Sequence, residues 1–207
     1  CHAFYFQNQI WIEGIRIDPN FRRQQIGSKL ITHAELIGKN TDTLFSYMLI
    51  DTENKKSISM ANSLNYKIFQ IWNYYSLLPK QNSNYEIEFE QSLDSTFFPY
   101  YVDSWRWLET NEKILSDLCV QNKVIKSSLD GNDSIAIISD YKHLDKTLII
   151  TLVSGSFDTL SNIISYLQNY AIEKNYERIQ ILTKENLTSN DSLKYKISFN
   201  LMKKSLH

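Results

Sequence analysis

Apolar and polar residues alternate over short runs near the start of the chain. Residues 3–6 are mostly aromatic, residues 10–17 are rich in isoleucine, and the polar pair Asn8-Gln9 lies between them. This pattern predicts a β-hairpin. Gly14, in the middle of the second strand, is typical of a bulge or of a place where a ligand comes close to the backbone.

A helix is predicted after this hairpin, over residues 24–39. Its apolar positions recur every three or four residues, at Ile26, Leu30, His33/Ala34 and Ile37. This spacing predicts one face packed on a sheet. The apolar run 44–50 is typical of a buried strand parallel to the strand before the helix, which completes a right-handed crossover unit. A second helix over residues 55–64 and a long strand over residues 67–77 follow.

A polar segment that begins with Pro79, residues 79–84, is the predicted linker. The rest of the chain predicts a strand at 85–90, helical pieces at 97–101 and 111–120, a strand at 123–127, a hairpin of 134–139 with 147–153, a helix at 157–174, a strand at 178–183, a short helix at 189–194 and a strand at 196–201. The last five elements repeat the order of residues 3–77, which indicates duplication. We therefore expect two tandem modules, residues 1–80 and 81–207, in an α/β (α+β) fold with a mixed twisted sheet flanked by helices.

Charge and cysteine content limit the function classes. The chain has 22 Lys and Arg against 23 Asp and Glu, so no nucleic-acid partner and no basic membrane anchor are predicted. No apolar run reaches the length of a membrane span. Cys1 and Cys119 are far apart and no Cys/His cluster has the spacing of a metal site, so we expect no metal and a reducing, cytoplasmic compartment.

The segment between the second strand and the first helix has the layout of an anion-binding site. Residues 18–28 read Asp-Pro-Asn-Phe-Arg-Arg-Gln-Gln-Ile-Gly-Ser, so a proline ends the strand and two arginines precede the helix. The first N–H groups of a helix have no partner within it, and the helix dipole adds positive charge at the same end. A phosphate group is the ligand that this arrangement favours.

The run Arg22-Arg23-Gln24-Gln25-Ile26-Gly27 resembles the Gln/Arg-x-x-Gly-x-Gly/Ala signature of the GCN5-related N-acetyltransferases, the GNAT superfamily. The resemblance implies an acetyl-CoA acyltransferase fold and direct transfer of an acetyl group from acetyl-CoA to a primary amine on a small molecule or peptide. It implies that the cofactor contacts Ile15, Arg16 and Ile17 through pantetheine and Arg22, Arg23, Gln24, Gln25, Ile26, Gly27 and Ser28 through pyrophosphate. Gln25 stands where the signature has its first glycine, so its side chain must point away from phosphate.

The second predicted helix resembles the Asn-x-x-Ala/Ser helix of the superfamily, with Asn54 and Ser57 at the matching positions. Asn65-Tyr66 stands in place of a Gly-Phe pair, a mild change because Asn tolerates a left-handed turn. Many members have a tyrosine that protonates the departing thiolate, and Ala61 occupies that position here. Another group or solvent must supply this proton, or catalysis has been lost.

Glu13 is the favoured catalytic base, because several acetyltransferases of this type place a glutamate on the strand before the CoA contacts. A partly desolvated carboxylate near Trp11 would have a raised pKa, suited to accepting a proton from an ammonium group. A solvated or salt-bridged strand residue is an equally weighted interpretation of Glu13. Asp51 and Glu53 are weaker alternatives.

Other candidate residues carry less weight. His33 is read as a packed or rim histidine, and Trp105 with Trp107 as core or interface anchors of the second module. Three tyrosines could also donate a proton, and the sequence favours none of them over the others, namely Tyr47, Tyr74 and Tyr75.

The second module has Ser154-Gly155-Ser156-Phe157-Asp158 where the first has its arginine pair. An aspartate there caps a helix and repels pyrophosphate, so this module is predicted to be degenerate and to bind no CoA. It would instead pack on the first module, wall off the acceptor side or mediate dimerisation, and a homodimer stays open. The resemblance implies an opening strand and two helices before the first hairpin, and in the superfamily these helices usually frame the acceptor pocket.

The sequence leaves two alternatives to an acetyltransferase. A non-catalytic CoA-binding or protein-interaction scaffold with the GNAT fold is favoured by Ala61 and Gln25. A nucleotide-binding domain of another kind is disfavoured, because no Gly-x-Gly-x-x-Gly or Gly-x-x-x-x-Gly-Lys-Ser/Thr run occurs.

Overall fold

The structure is a computed structural model that describes residues 1–96, 98–140, 146–153, 155–187 and 191–207. It divides into two compact units, one of Cys1–Trp72 with Ser198–His207 and one of Asn73–Ile197. The strands are β1 His2–Phe6, β2 Gln9–Glu13, β3 Phe45–Asp51, β4 Lys67–Leu77, β5 Glu88–Phe89, β6 Tyr100–Asp103, β7 Arg106–Glu109, β8 Val124–Leu129, β9 Asn132–Asp140, β10 Thr147–Val153, β11 Arg178–Thr183 and β12 Lys194–Ser205. The helices are α1 Ile26–Lys39, α2 Lys55–Ser63, α3 Glu112–Val120 and α4 Phe157–Glu173, with a short 3-10 helix at Pro19–Phe21.

The first unit has a mixed sheet with α1 and α2 packed against it. Strands β1 and β2 form the predicted hairpin, β2 runs parallel to β3, and residues 199–205 of β12 pair antiparallel with β3. The core joins side chains from both helices and from three strands, namely Ile10, Ile12, Ile31, Ala34, Met48, Ile50, Ala61, Tyr66, Met202 and Leu206. The strand, helix and strand unit predicted from the apolar pattern is therefore present.

The buried face of α1 differs from the predicted stripe. The buried residues are Ile31, Ala34, Glu35 and Gly38. Leu30 and Ile37, expected inside, are 38% and 43% exposed. Gly38 lets Thr43 approach so closely that an added Cβ would lie 3.3 Å from the Thr43 Cβ atom. The predicted stripe is correct at Ala34 and wrong at Leu30 and Ile37, because the buried face also includes the charged residue Glu35.

Glu35 is buried because two polar side chains bind its carboxylate. The Tyr66 hydroxyl donates to Oε1 at 2.7 Å and the Lys204 ammonium donates to Oε2 at 2.6 Å. Ser46 lies 2.5 Å from the same tyrosine hydroxyl, and burial is the main reason that the pKa of Tyr66 lies far above its ordinary value. A buried carboxylate needs such partners, and here they tie α1 to the last strand of the chain.

The second unit is also a mixed sheet flanked by helices. Residues 73–77 of β4 pair with β11, followed in order by β10, β9, β8 and β5. Helix α4 packs on one face through Leu160, Ile163, Ile164 and Leu167. Helix α3 packs on the alternate side chains of β8 and β9, which include Val124, Ile135 and Ile137. The predicted fold class, a mixed sheet flanked by helices, is confirmed.

The units differ from the expected division at residue 80. The boundary lies after Trp72, and the last ten residues of the chain belong to the first unit. The expected division gave β4 to the first sheet and β12 to the second. Instead, β4 supplies a partner for β11, while β12 supplies the partner that β3 needs on the side away from β2.

Two predicted elements are corrected by the structure. A helical piece was expected over residues 97–101, yet Tyr100–Asp103 is a strand paired with β7, and Phe97 lies outside the described residues. Ser104 and Trp105 have φ of 52° and 62°, as a tight hairpin turn requires. The short helix expected over 189–194 falls partly outside the described residues, and Lys194 already begins β12.

Element bounds also shift near the predicted anion site. Strand β2 ends at Glu13 rather than Ile17, and α1 begins at Ile26 rather than Gln24. Within the described residues, no helix combines the length and the apolar character that crossing a membrane requires.

Candidate cofactor-binding site

A gap between β2 and β3 forms the base of the site. Their parallel pairing covers three residue pairs, from Gln9 with Phe45 to Trp11 with Tyr47. The corresponding parallel pair in the second unit, β10 with β11, covers five. Strand β2 stops just before Gly14, whose φ of +65° turns the chain away from its neighbour. The strands therefore separate beyond Trp11 and leave an opening in the first sheet.

A cavity of about 760 Å³ occupies this opening. Its walls come from the end of β2 and the following segment, the loop before α1, the end of β3 and the start of α2. All of the predicted site residues except Gln24 line it, namely Glu13, Ile15, Arg16, Ile17, Arg22, Arg23, Gln25, Ile26, Gly27, Ser28, Asn54 and Ser57. The structure thus brings together residues that the sequence predicted in three separate segments.

The loop before α1 folds back on the end of the preceding segment. Asp18 accepts a hydrogen bond from the Asn20 amide at 2.8 Å and begins the short 3-10 helix at Pro19. The Arg22 Nε atom then donates to the Ile17 carbonyl at 3.0 Å. This bond holds the guanidinium group of Arg22 at the cavity wall, beside Arg23.

The first turn of α1 is open to an anion. Gln25 is the N-cap residue and its side chain makes no capping hydrogen bond, and the turn contains no acidic residue. The first helical bond joins the Lys29 amide to the Gln25 carbonyl at 3.0 Å, so the amides of Ile26, Gly27 and Ser28 precede it. These amides, the helix dipole and two arginines place positive charge on one side of the cavity.

Gln25 adopts a left-handed conformation, with φ of 59° and ψ of 16°. This is the position at which the resembled signature has glycine, the residue that adopts such a backbone without strain. The loop therefore keeps the shape that the signature needs, although the residue differs. Gly27 has an ordinary φ, and an added Cβ there would lie 3.5 Å from the Met60 sulfur.

Helix α2 contributes the other predicted motif. Asn54 caps the helix by accepting a hydrogen bond from the Ser57 amide at 3.1 Å. Ala61 is fully buried in the core of the first unit and does not line the cavity. Asn65 has φ of 68°, so it takes the left-handed turn expected in place of glycine.

Glu13 lies at the cavity wall with its carboxylate held from two sides. The Trp11 indole nitrogen donates to Oε2 at 2.9 Å, and the His2 Nδ1 atom lies 2.8 Å from Oε1. The Glu13 side chain is 32% exposed, whereas Trp11 is 1% exposed. Glu13 is thus a partly buried, oriented carboxylate on the wall of the cavity.

The other candidate bases and proton donors are not brought together at the cavity wall in this way. Asp51 lines the cavity, but its Oδ1 atom accepts a hydrogen bond from the Glu53 amide at 2.8 Å. The Glu53 side chain is 83% exposed, and His33 is exposed on α1. Tyr47 is fully buried on β3. The two remaining tyrosines, Tyr74 and Tyr75, belong to the second unit.

Two residues near the site were missed by sequence reasoning. Phe21, 57% exposed, lines the cavity beside the arginines. His2 lies opposite Glu13 in the β1–β2 hairpin. The turn predicted at Asn8-Gln9 would have paired Phe4 with Glu13. The observed turn lies one residue earlier, at Gln7-Asn8, and this places His2 opposite Glu13.

The second unit differs at the start of α4. Ser156 and Thr159 cap this helix reciprocally, and Asp158 lies in its first turn. The Gly155 amide donates to the buried Ser134 hydroxyl at 3.0 Å. The Ser156 hydroxyl therefore binds the Thr159 amide, whose equivalent by helix position in α1 is the Ser28 amide, which has no such side-chain cap. In the part of the chain that the structure describes, no group of three or more His, Cys, Asp or Glu side chains could hold a metal ion.

Comparison with known proteins finds one family match, near the start of the chain. Residues 1–66 match the model of the acetyltransferase (GNAT) family. The first 66 residues of the chain are therefore similar to a GNAT domain. This match confirms the resemblance carried by residues 22–27.

Solved structures extend the GNAT fold over nearly the whole chain. A GCN5-related N-acetyltransferase from Sphaerobacter thermophilus aligns with a TM-score of 0.63 and 8% identity, over 99% of this chain and 76% of that one. A tandem GNAT protein from the clavulanic acid biosynthesis pathway aligns with a TM-score of 0.53 and 9% identity, over 97% and 76%. No curated protein sequence matches. At this identity the structures show the fold alone.

Proposed function

We propose that this chain is an acetyl-CoA-dependent N-acetyltransferase whose chemistry takes place in the first unit. The observation that carries the proposal is the open first turn of α1, which lies beside Arg22 and Arg23 on the wall of a 760 Å³ cavity. Backbone amides, a helix dipole and two guanidinium groups suit a pyrophosphate. The bound acetyl-CoA would supply the activated acetyl group as a thioester.

The separated strands give the thioester a place to lie. The segment of Ile15, Arg16 and Ile17 lines the cavity beyond the end of β2, and Leu49 with Ile50 lines it from β3. Backbone N–H groups in such a gap bind a pantetheine arm and polarise a carbonyl oxygen without needing any side chain. Strand β3 fixes one wall, and the hydrogen bond from Arg22 to the Ile17 carbonyl holds the end of the other segment, so these donors need little reorganisation during the reaction.

Glu13 is the proposed catalytic base. An acceptor ammonium loses one proton to Glu13 and becomes a neutral amine, which attacks the thioester carbon. The C–N bond forms, the C–S bond breaks, and the second proton from nitrogen reaches the thiolate through water. Ala61 is buried in the core, which supports solvent rather than a residue at that position as the route for this proton. Glu13 then returns its proton to solvent.

The proposed acceptor is a primary amine on a small molecule or peptide. The second unit is proposed to bind no CoA, because Ser156, Thr159 and Asp158 occupy the first turn of α4. The second unit would have a structural role.

Calorimetric titration with acetyl-CoA and CoA tests the proposal. We expect Arg22→Ala/Arg23→Ala to weaken CoA binding by about 30-fold or more, because two charge-assisted contacts of about 1–2 kcal/mol each are lost. The control is Lys113→Ala/Lys184→Ala, which removes two exposed charges from the second unit. Release of free CoA thiol with a panel of amines then tests turnover. A folded protein that binds neither ligand would refute the enzyme assignment.

A further inference from the structure

The contact between His2 and Glu13 links an exposed ring to a residue on the cavity wall. The His2 Nδ1 atom lies 2.8 Å from Glu13 Oε1, and the two residues are direct cross-strand partners. The His2 side chain is 58% exposed and the Glu13 side chain is 32% exposed. An ionised carboxylate only accepts hydrogen bonds, so Nδ1 must carry the proton in this contact.

The second oxygen of Glu13 has its own donor. The Trp11 indole nitrogen donates to Oε2 at 2.9 Å, and the Trp11 ring is almost completely buried. A glutamate side chain has three rotatable bonds, and an exposed one samples several rotamers. Separate donors on the two oxygens, one from each strand of the hairpin, restrict Glu13 to one orientation.

We propose that His2 is a positioning residue, which acts with Trp11 to hold the Glu13 carboxylate in the orientation that accepts a proton from the acceptor amine. The proposal rests on the proposed function, because it assigns Glu13 a role in that reaction. His2 itself touches neither acetyl-CoA nor the amine in this account. Its ring donates through Nδ1, and the exposed Nε2 atom is not required.

The variants distinguish a loss of the Glu13 orientation from a general loss of folded structure. In His2→Asn the side-chain amide nitrogen sits where Nδ1 does, so the donor is kept, whereas His2→Leu removes it. Trp11→Phe removes the second donor and keeps most of the buried ring. His33→Leu is the control, since His33 is an exposed histidine of the same unit that does not line the cavity.

The kinetic test uses acetyl-CoA and the best amine from the panel. We expect His2→Leu to lower kcat about 10- to 100-fold with little change in the Kd for CoA, as misplacement of a catalytic group does. His2→Asn should recover most of the rate, and His33→Leu should behave as the parent protein. In a Glu13→Gln background, His2→Leu should add little further loss. Equal rates for His2→Leu and the parent protein would overturn the proposal while leaving the acetyltransferase assignment in place.

A measurement that needs no turnover tests the contact itself. Nitrogen-15 NMR of the His2 ring should show the Nδ1-protonated tautomer in the parent protein and a shift toward the Nε2-protonated form in Glu13→Ala, which removes both acceptor oxygens. A ring unaffected by Glu13→Ala would overturn the proposal. If CoA binds and no amine is acetylated, the proposed function fails together with the role of His2, even where the NMR contact is present.

Discussion

A residue in a left-handed conformation costs stability unless it is glycine. Gln25 has φ of 59° and makes no capping hydrogen bond with its side chain. We expect Gln25→Gly to raise the free energy of unfolding by about 0.5–1 kcal/mol, since relief of backbone strain exceeds the added freedom of the unfolded chain. Urea unfolding measures this. Gln25→Ala is the matched control, because it removes the same side chain but keeps Cβ and the strain. Equal stability of the two variants would contradict the account.

The buried carboxylate of Glu35 depends on a lysine far along the chain. Lys204→Met should destabilise the protein by about 3 kcal/mol, because it leaves a buried charge without its cationic partner. Lys196→Met, an exposed position on the same strand, should change the free energy of unfolding by less than about 0.5 kcal/mol. The double variant Glu35→Gln/Lys204→Met should recover part of the loss. Thermal and urea unfolding of the four proteins measure these values, and no recovery would argue against charge burial as the cause.

These residues also show what a sequence reveals. Arg22, Arg23, Asn54 and Ser57 were predicted because each lies in a local motif next to a helix start, where short-range hydrogen bonds set the structure. Glu35 was missed because its partner Lys204 is 169 positions away. A charged residue on an apolar helix face does not by itself show which distant residue will pair with it.

At the scale of elements, the gap between β2 and β3 depends on Gly14. Its φ is +65°, and an added Cβ would meet no atom within 4 Å. Gly14→Ala is therefore strained by conformation rather than by contact. We expect it to cost about 1 kcal/mol of stability and to weaken acetyl-CoA binding several-fold, because the segment carrying Ile15 to Ile17 must shift.

Gly131 provides a matched control for this prediction. It lies in the turn between β8 and β9 of the second unit with φ of +77° and equally open space around its Cβ position. Gly131→Ala should lose similar stability and keep full acetyl-CoA affinity. Calorimetry on both variants measures the affinities. Equal loss of binding in the two would show that the effect is general instability.

Element types were predicted well where periodicity was long and poorly where it was short. The 17-residue helix α4 and the apolar strands β9 and β10 were predicted nearly at their observed bounds. The β6–β7 hairpin was missed because its strands have four residues each and its turn uses Ser104 and Trp105 rather than glycine. Such a turn has no distinct composition.

At the scale of the whole molecule, the order of elements predicted duplication but not the exchange of strands. Both β4 and β12 follow a short predicted helix, so each was assigned to its own half. Sequence patterns specify that a strand is apolar on one face, but not which neighbour it joins. The structure places residues 73–77 of β4 in the second unit and residues 199–205 of β12 in the first. The first unit therefore depends on both ends of the chain.

This dependence predicts the result of removing the last ten residues. A chain truncated after Ile197 loses the antiparallel partner of β3, the core side chains Met202 and Leu206, and the ammonium group that binds Glu35. We expect the first unit to lose hydrogen-exchange protection in α1 and β3, and acetyl-CoA binding to disappear with it. Strands β9 and β10 with helix α4, which lie wholly within the second unit, should remain protected.

Adding the lost strand as a peptide separates its role from a general loss of stability. A peptide of residues 194–207 should restore part of the protection in β3 and part of the acetyl-CoA affinity, whereas a peptide of the same composition in scrambled order should restore neither. If the chain divided after residue 80, the truncation would unfold the second unit and leave the first intact. Protection lost from α4 but kept in α1 would therefore favour that simpler division and argue against the observed one.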